Sequence, residues 1–283
     1  MAKSSAGYNE IIILQSLKSG RTGSRLYEDL NQIVLQTNGQ VRVRLIDIDC
    51  TSGLLYELGR IQIEILRDDL APLLHFETHG TEDKSGLVLS SDEFVPWATL
   101  KEPLTVINDA SRMNLFVCLS ACNGAGMTKI INPTDRAPCW GMVGPIDIMY
   151  PDDLLRDYTA FYQELLTTKD GWAAIAKLNR DNIDKGPYLF TTAEWFFRQT
   201  WEAYIRNFCS RPKLKERAYK MIKRLKKYGR RTYMNRNDMI EEMIGHEERY
   251  FHRAVKRFFM IDKYPEVASR IKVEYQAHSP RPQ

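Results

Sequence analysis

Two residues in this chain stand where a reactive side chain meets the end of an apolar run. His79 closes Leu73-Leu74-His75-Phe76-Glu77-Thr78-His79-Gly80, and Cys122 follows Leu115-Phe116-Val117-Cys118-Leu119-Ser120-Ala121 and precedes Asn123-Gly124. A continuous apolar run of this length fits a strand buried on both faces of a parallel sheet. The residue just past the carboxyl end of such a strand sits where α/β folds place their ligands. His79 and Cys122 are therefore expected at one edge of one sheet, a proton acceptor beside a thiol. Glycine follows at once or one residue later, which lets the backbone turn and its N–H approach a substrate. These are the parts of a cysteine nucleophile with a histidine base and backbone oxyanion donors. Cys118 and His75 lie inside their strands and read as core.

The elements that must position these residues alternate between strand and helix. Residues 10–17 read as a first buried strand and 26–36 as a helix stopped near Asn38-Gly39. Residues 41–48 read as a second strand, and 53–69 as a helix capped from Asp49 to Ser52. Residues 73–77 form the strand that delivers His79, 87–89 a short hairpin arm, and 97–107 a helix. Residues 113–119 form the strand that delivers Cys122, and 137–143 a fifth strand. Helices follow at 153–166 and 171–178. This alternation predicts an α/β fold, a mostly parallel sheet sandwiched by helices.

The two motifs resemble a family. Ser120-Ala121-Cys122-Asn123-Gly124, with His79 forty-three positions upstream, is similar to the caspase signature Q-A-C-[RQG]-G with its upstream His. The chain resembles more closely the CHAT branch of the caspase–separase clan, whose strands end in H-G and in L-S-A-C. Residues 137–147 and the helix at 153–166 look like the segment that follows the nucleophile there, so the resemblance covers about residues 8–180. It implies a caspase-like cysteine endopeptidase, a hydrolase using a Cys122–His79 dyad on a protein substrate. His79 would chiefly protonate the leaving amine, and the N–H groups of Gly80 and Cys122 would hold the oxyanion. By the same resemblance Asp147 lines a pocket for a basic residue before the scissile bond. Asp152 or Asp153, close behind, reads equally well as a cap of the next helix. Glu77 is the nearby carboxylate that could orient His79, provided the strand continues past it. The resemblance also suggests a prokaryotic, defence-associated protease held quiet until a protein partner activates it, by analogy alone.

From about Pro187 the composition changes. Residues 192–208 are aromatic-rich and helical in pattern. Between Arg211 and Arg236 twelve Lys or Arg face one acid, Glu216. A third helix carries apolar pairs from 239/240 to 258/259, and the tail from Glu274 is expected to fray. The expected organisation is therefore a protease domain over 8–186 and a helical basic region over 187–273. The basic helix reads as a solvated face, as a nucleic-acid contact or as a dock for an acidic protein. The rival to an enzyme is an inert caspase-like adaptor or nucleic-acid-binding protein that uses these helices.

Composition narrows the setting. With 283 residues, 43% hydrophobic and 27% charged, the chain can bury a substantial core. No apolar run approaches the ~20 residues of a membrane span, and no secretory signal is visible at the start. Five cysteines without a C-x-x-C argue for free thiols in a reducing cytoplasm. His246 and His252 lie six apart rather than the four that would put two metal ligands on one helical face. Neither a metal nor another cofactor is expected.

Overall fold

The computed structural model describes residues 7–37, 39–180, 186–229 and 234–276. The expected helix stop at Asn38, the basic positions 230 and 231, and the tail 277–283 lie outside the described residues. The described residues divide into two compact units, those within 7–131 and 137–193, and those within 132–136 and 194–276.

The first unit is an α/β layer structure. Its chain runs β1 (Glu10–Ser16), α1 (Thr22–Gln36), β2 (Arg42–Asp47), α2 (Thr51–Asp68), β3 (Pro72–Gly80), β4 (Gly86–Val88) and β5 (Phe94–Pro96). It continues through α3 (Trp97–Ala110), β6 (Phe116–Ser120), β7 (Gly141–Pro145), α4 (Pro151–Thr168), α5 (Gly171–Leu178) and β8 (Tyr188–Thr192). The strand order is β2-β1-β3-β6-β7-β8, with β4 and β5 extending from the end of β3. All pairs from β2 to β7 along this order are parallel, and β8 is antiparallel to β7.

The apolar runs explain the layers. Every residue of β1, Glu-Ile-Ile-Ile-Leu-Gln-Ser, is buried, as a strand covered on both faces requires. Alternation sends Ile11, Ile13, Leu73, Phe116, Cys118 and Val143 to one face, where they pack with Leu26 and Leu30 of α1 and with Tyr158, Phe161 and Tyr162 of α4. The step from β1 to β2 runs opposite to the steps from β2 to β3 and from β3 to β6. With right-handed crossovers this puts α2 and α3 on the other face, and these two helices pack on each other.

Several boundaries differ from expectation for physical reasons. β3 runs past Glu77 to Gly80 because β4 pairs with its last residues, His79 with Val88 and Gly80 with Leu87. The fifth strand is Gly141–Pro145 rather than 137–143. The N-cap of α2 is Cys50 without a side-chain bond; the Thr51 N–H instead donates to Glu93 at 2.8 Å. The first unit reaches Ala193 rather than residue 186, because β8 completes the sheet against β7. The alternating Tyr-Leu-Phe-Thr-Thr that makes this strand sits just after the expected boundary.

The second unit is helical. α6 (Ala193–Phe208), α7 (Arg211–Lys227), α8 (Arg236–Gly245) and α9 (Glu247–Phe258) follow one another. The single helix expected over 239–259 is two helices, broken at Gly245-His246. An aromatic cluster forms the core, with Phe197 lying 5.2–5.9 Å, ring to ring, from Trp201, Phe251, Phe258 and Phe259. Aromatic pairs at this range add to their area burial. Arg136 holds the 132–136 segment to this unit through two hydrogen bonds to Asp262 at 2.9 and 2.7 Å, and this guanidinium lowers the Asp262 pKa. Tyr275, in the tail expected to fray, lies against Phe251 with centroids 5.4 Å apart. Among the described residues no helix is long and apolar enough to cross a membrane.

Candidate functional site

β3 and β6 are neighbours in the sheet and run parallel, from Leu73 beside Phe116 to Glu77 beside Ser120. Counting two residues on from the last pair brings His79 level with Cys122. The backbones meet at this point: a Cβ added to Gly80 would lie 1.7 Å from the Cys122 carbonyl oxygen. Only glycine permits that approach. The two strand ends expected to share an edge therefore do so, with His79 exposed and Cys122 half-buried.

Cys122 sits in a tight turn. Asn123 takes a left-handed conformation, φ 58°, which asparagine tolerates better than most residues. Gly124 N–H then donates back to the Ala121 carbonyl at 2.9 Å. The Cys122 N–H meets no acceptor among the described residues. Its Sγ lies 3.5 Å from the Met149 carbonyl oxygen.

Three segments meet at this turn. Asn123 is 2% exposed, its Nδ2 donates to the Thr81 carbonyl at 3.0 Å, and its N–H donates to the Asp147 carbonyl at 3.1 Å. Asn123 thus ties the loop after His79 and the loop after β7 to the Cys122 turn. Its Oδ1 and the Ser120 Oγ are buried with no hydrogen-bond partner among the described residues. Asn123 and Met149 were not singled out by sequence; the only available signal was an Asn-Gly pair after the cysteine, a turn signature.

Asp147 lies on the loop that borders Cys122. Its carboxylate is exposed and accepts the Ile148 N–H at 2.9 Å. Neither following acid caps α4: the N-cap is Tyr150, Asp152 and Asp153 occupy the first turn, and they pair with Arg25 and Arg156. Acids in a first turn still complement the helix dipole.

Glu77 does not serve His79. It is buried, and its carboxylate faces His75 Nε2 at 3.0 Å and accepts the Thr22 hydroxyl. His75 Nδ1 meets the Tyr162 hydroxyl at 3.1 Å. β3 does continue as a strand through Gly80, yet Glu77 is buried against His75 and Thr22 while His79 is exposed. The result is a closed polar cluster beneath the site rather than an orienting group for His79.

The thiols divide by environment. Burial pushes Cys118 and Cys139 up to about 12, so at pH 8 their thiolate fraction is on the order of 10⁻⁴. Cys209 is also buried, whereas Cys50 and Cys122 are partly open. Iodoacetamide at pH 8 is therefore expected to alkylate Cys122 and Cys50 in the folded chain and to spare Cys118 and Cys139 until denaturant is added. Peptide mass mapping reads this directly, and labelling of Cys118 as fast as Cys122 contradicts the assigned burial.

Among the described residues no group of three His, Cys, Asp or Glu is placed to hold a metal ion. His246 and His252 each face a glutamate one turn back, Glu242 at 2.8 Å and Glu248 at 3.6 Å. No protein-family model matches the chain, and a search of curated proteins returns no match.

Proposed function

We propose that the chain is a cysteine endopeptidase with Cys122 as nucleophile and His79 as its acid–base partner. One observation carries the reading: the Gly80 backbone lies against that of Cys122, joining a histidine exit and a half-buried cysteine exit from adjacent parallel strands. In the proposed reaction the Cys122 thiol gives its proton to His79, and sulfur attacks the scissile carbonyl carbon. The developing oxyanion accepts hydrogen bonds from the Cys122 and Gly80 N–H groups. His79 then protonates the leaving amine, the C–N bond breaks, and a thioester remains. Water, deprotonated by His79, cleaves the thioester and restores the thiol.

The loop from Ile146 to Tyr150 supplies the wall beside the thiol in this reading. Asp147 is proposed to favour Arg or Lys before the scissile bond. A charge-assisted hydrogen bond is worth roughly 1.5–3 kcal/mol, but an exposed carboxylate is screened, so about ten-fold selectivity is the expected size. Asp147→Asn should remove that selectivity while leaving cleavage of a neutral peptide unchanged. Profiling both proteins on a peptide library reads the ratio; a preference centred on Asp or on apolar residues sinks the pocket assignment. The endopeptidase reading itself is tested by incubating a native proteome with the protein and sequencing new peptide amino termini. Termini that appear with the wild type and not with Cys122→Ala support it, and identical sets from the two overturn it.

A further inference from the structure

We propose that the exposed face of α7 binds single-stranded nucleic acid. This rests on the helical unit alone and does not depend on the reading of Cys122. Leu214 and Ala218 of α7 are buried, and Ile222 and Leu225 fall on the same side at helical spacing. The rest of the helix, which is about 25 Å long at 1.5 Å per residue, is exposed and mostly basic, with Pro212, Glu216, Tyr219 and Met221 set among its lysines and arginines.

The ion pairs show how little of this charge is neutralised within the protein. Glu216, the one acid in α7, is shared by Lys213 and Lys220 at 3.7 and 2.7 Å, and Arg211 pairs with Glu241 at 3.1 Å. Lys215, Lys223, Arg224, Lys226 and Lys227 make no ion pair among the described residues. Cations in a last turn complement the helix dipole, which accounts for some of them. It does not account for Lys215 in the first half, nor for Lys220 beside Arg224 and Lys223 beside Lys227 at i,i+4. Like charges at that spacing destabilise a helix, whereas a solvated face ordinarily mixes both signs. A bound polyanion relieves the repulsion.

Two exposed tyrosines point to bases rather than to phosphate alone. Tyr219 is 54% and Tyr228 65% exposed, and the Arg236 guanidinium lies 5.9 Å from the Tyr219 ring centroid. Aromatic rings among cations form the stacking platform and electrostatic track used for single strands. An anionic membrane is the poorer fit, because a membrane-surface helix must offer its apolar face, and here Leu214 and Ala218 of that face are buried, with only Met221 exposed beside the partly open Ile222 and Leu225. Phosphate contacts and ring stacking carry no base-edge readout, so weak sequence preference is expected.

The experiment is fluorescence anisotropy of the full chain with a labelled mixed-sequence 20-nucleotide RNA and DNA strand, the matching duplex, an acidic peptide, and vesicles containing phosphatidylserine. Single strands release about 0.7 counterion per phosphate contact, so five contacts give a log–log salt slope near −3.5. Affinity should then fall about 100-fold between 50 and 200 mM salt. Replacing Lys223, Arg224, Lys226 and Lys227 together by Gln should flatten the slope by nearly three. Tyr228→Ala should weaken single-strand binding about ten-fold with the slope unchanged. These changes lie on exposed positions, and thermal melts check that each variant folds. Absence of salt-dependent binding by the wild type overturns the proposal outright. So does equal binding of the duplex with a silent Tyr228→Ala, or tighter binding of the acidic peptide or the vesicles than of the strands.

Discussion

Cys122→Ala is expected to lower peptide cleavage by on the order of 10⁴-fold or more, to whatever binding and oxyanion donors alone can sustain. Without sulfur no thioester can form, so no conservative rearrangement recovers the covalent route. His79→Ala should cost about 10²–10⁴-fold, the usual contribution of a positioned acid–base group. The double variant should be scarcely slower than Cys122→Ala, because residues that act as a unit are not additive. Initial rates on a substrate identified by its new amino terminus measure all three, with circular-dichroism melts confirming intact folds. His79 is exposed and Cys122 half-buried, so neither change opens a large cavity. Cys118→Ala, four residues back in the strand, should keep wild-type activity at some loss of stability. Normal cleavage by Cys122→Ala removes the nucleophile assignment.

Glu77→Leu is expected to cost about 3–5 kcal/mol of stability, because it strands two buried hydrogen-bonding groups at roughly 1–3 kcal/mol each. His75 is fully buried, and Glu77 is its Nε2 partner while also accepting the Thr22 hydroxyl. Leucine would leave both the imidazole and the Thr22 hydroxyl without that partner, in a site of low dielectric. For a domain of this size each kcal/mol moves the midpoint by about 2–4 °C, so the melt of the first unit should fall by roughly 6–20 °C. Glu77→Gln keeps the shape and one acceptor and should lose about 1–2 kcal/mol. Differential scanning calorimetry separates the two. The outcome that contradicts this account is an unchanged melting midpoint combined with a fallen kcat, since Glu77 would then be serving His79 after all.

The two readings that fail, Glu77 as an orienting group and Asp152 or Asp153 as a helix cap, share a cause. Glu77, Asp152 and Asp153 were read from their distance along the chain to a neighbour that needed a partner. Glu77 is held by Thr22, fifty-five positions off, and Asp152 by Arg25, 127 positions off, whereas Asp153 pairs within its own helix with Arg156, three residues on. Local spacing carries no information about the two distant pairs. The helix break at Gly245-His246 is a different kind of miss, because the apolar pairs continue through it while the backbone does not.

What the sequence determined by itself was the set of buried strands and the two exits that matter. Runs such as Ile11–Leu14 and Leu73–Phe76 have no polar residue to face water on either side except His75, so helices must cover both faces of the sheet they form. A reactive residue followed by glycine at such an exit is legible because strand burial, strand end and turn are all local properties. Tertiary structure alone decided which exits adjoin and what closes around them. The register of β3 on β6 ends with Glu77 beside Ser120, and just beyond it the Gly80 backbone lies against Cys122. The Thr81 carbonyl reaches Asn123 across forty-two positions, and the Met149 carbonyl reaches Cys122 across twenty-seven. Those contacts depend on strand order and loop path, in which the partners are set by the packing of whole elements, and no periodicity within either segment encodes the other.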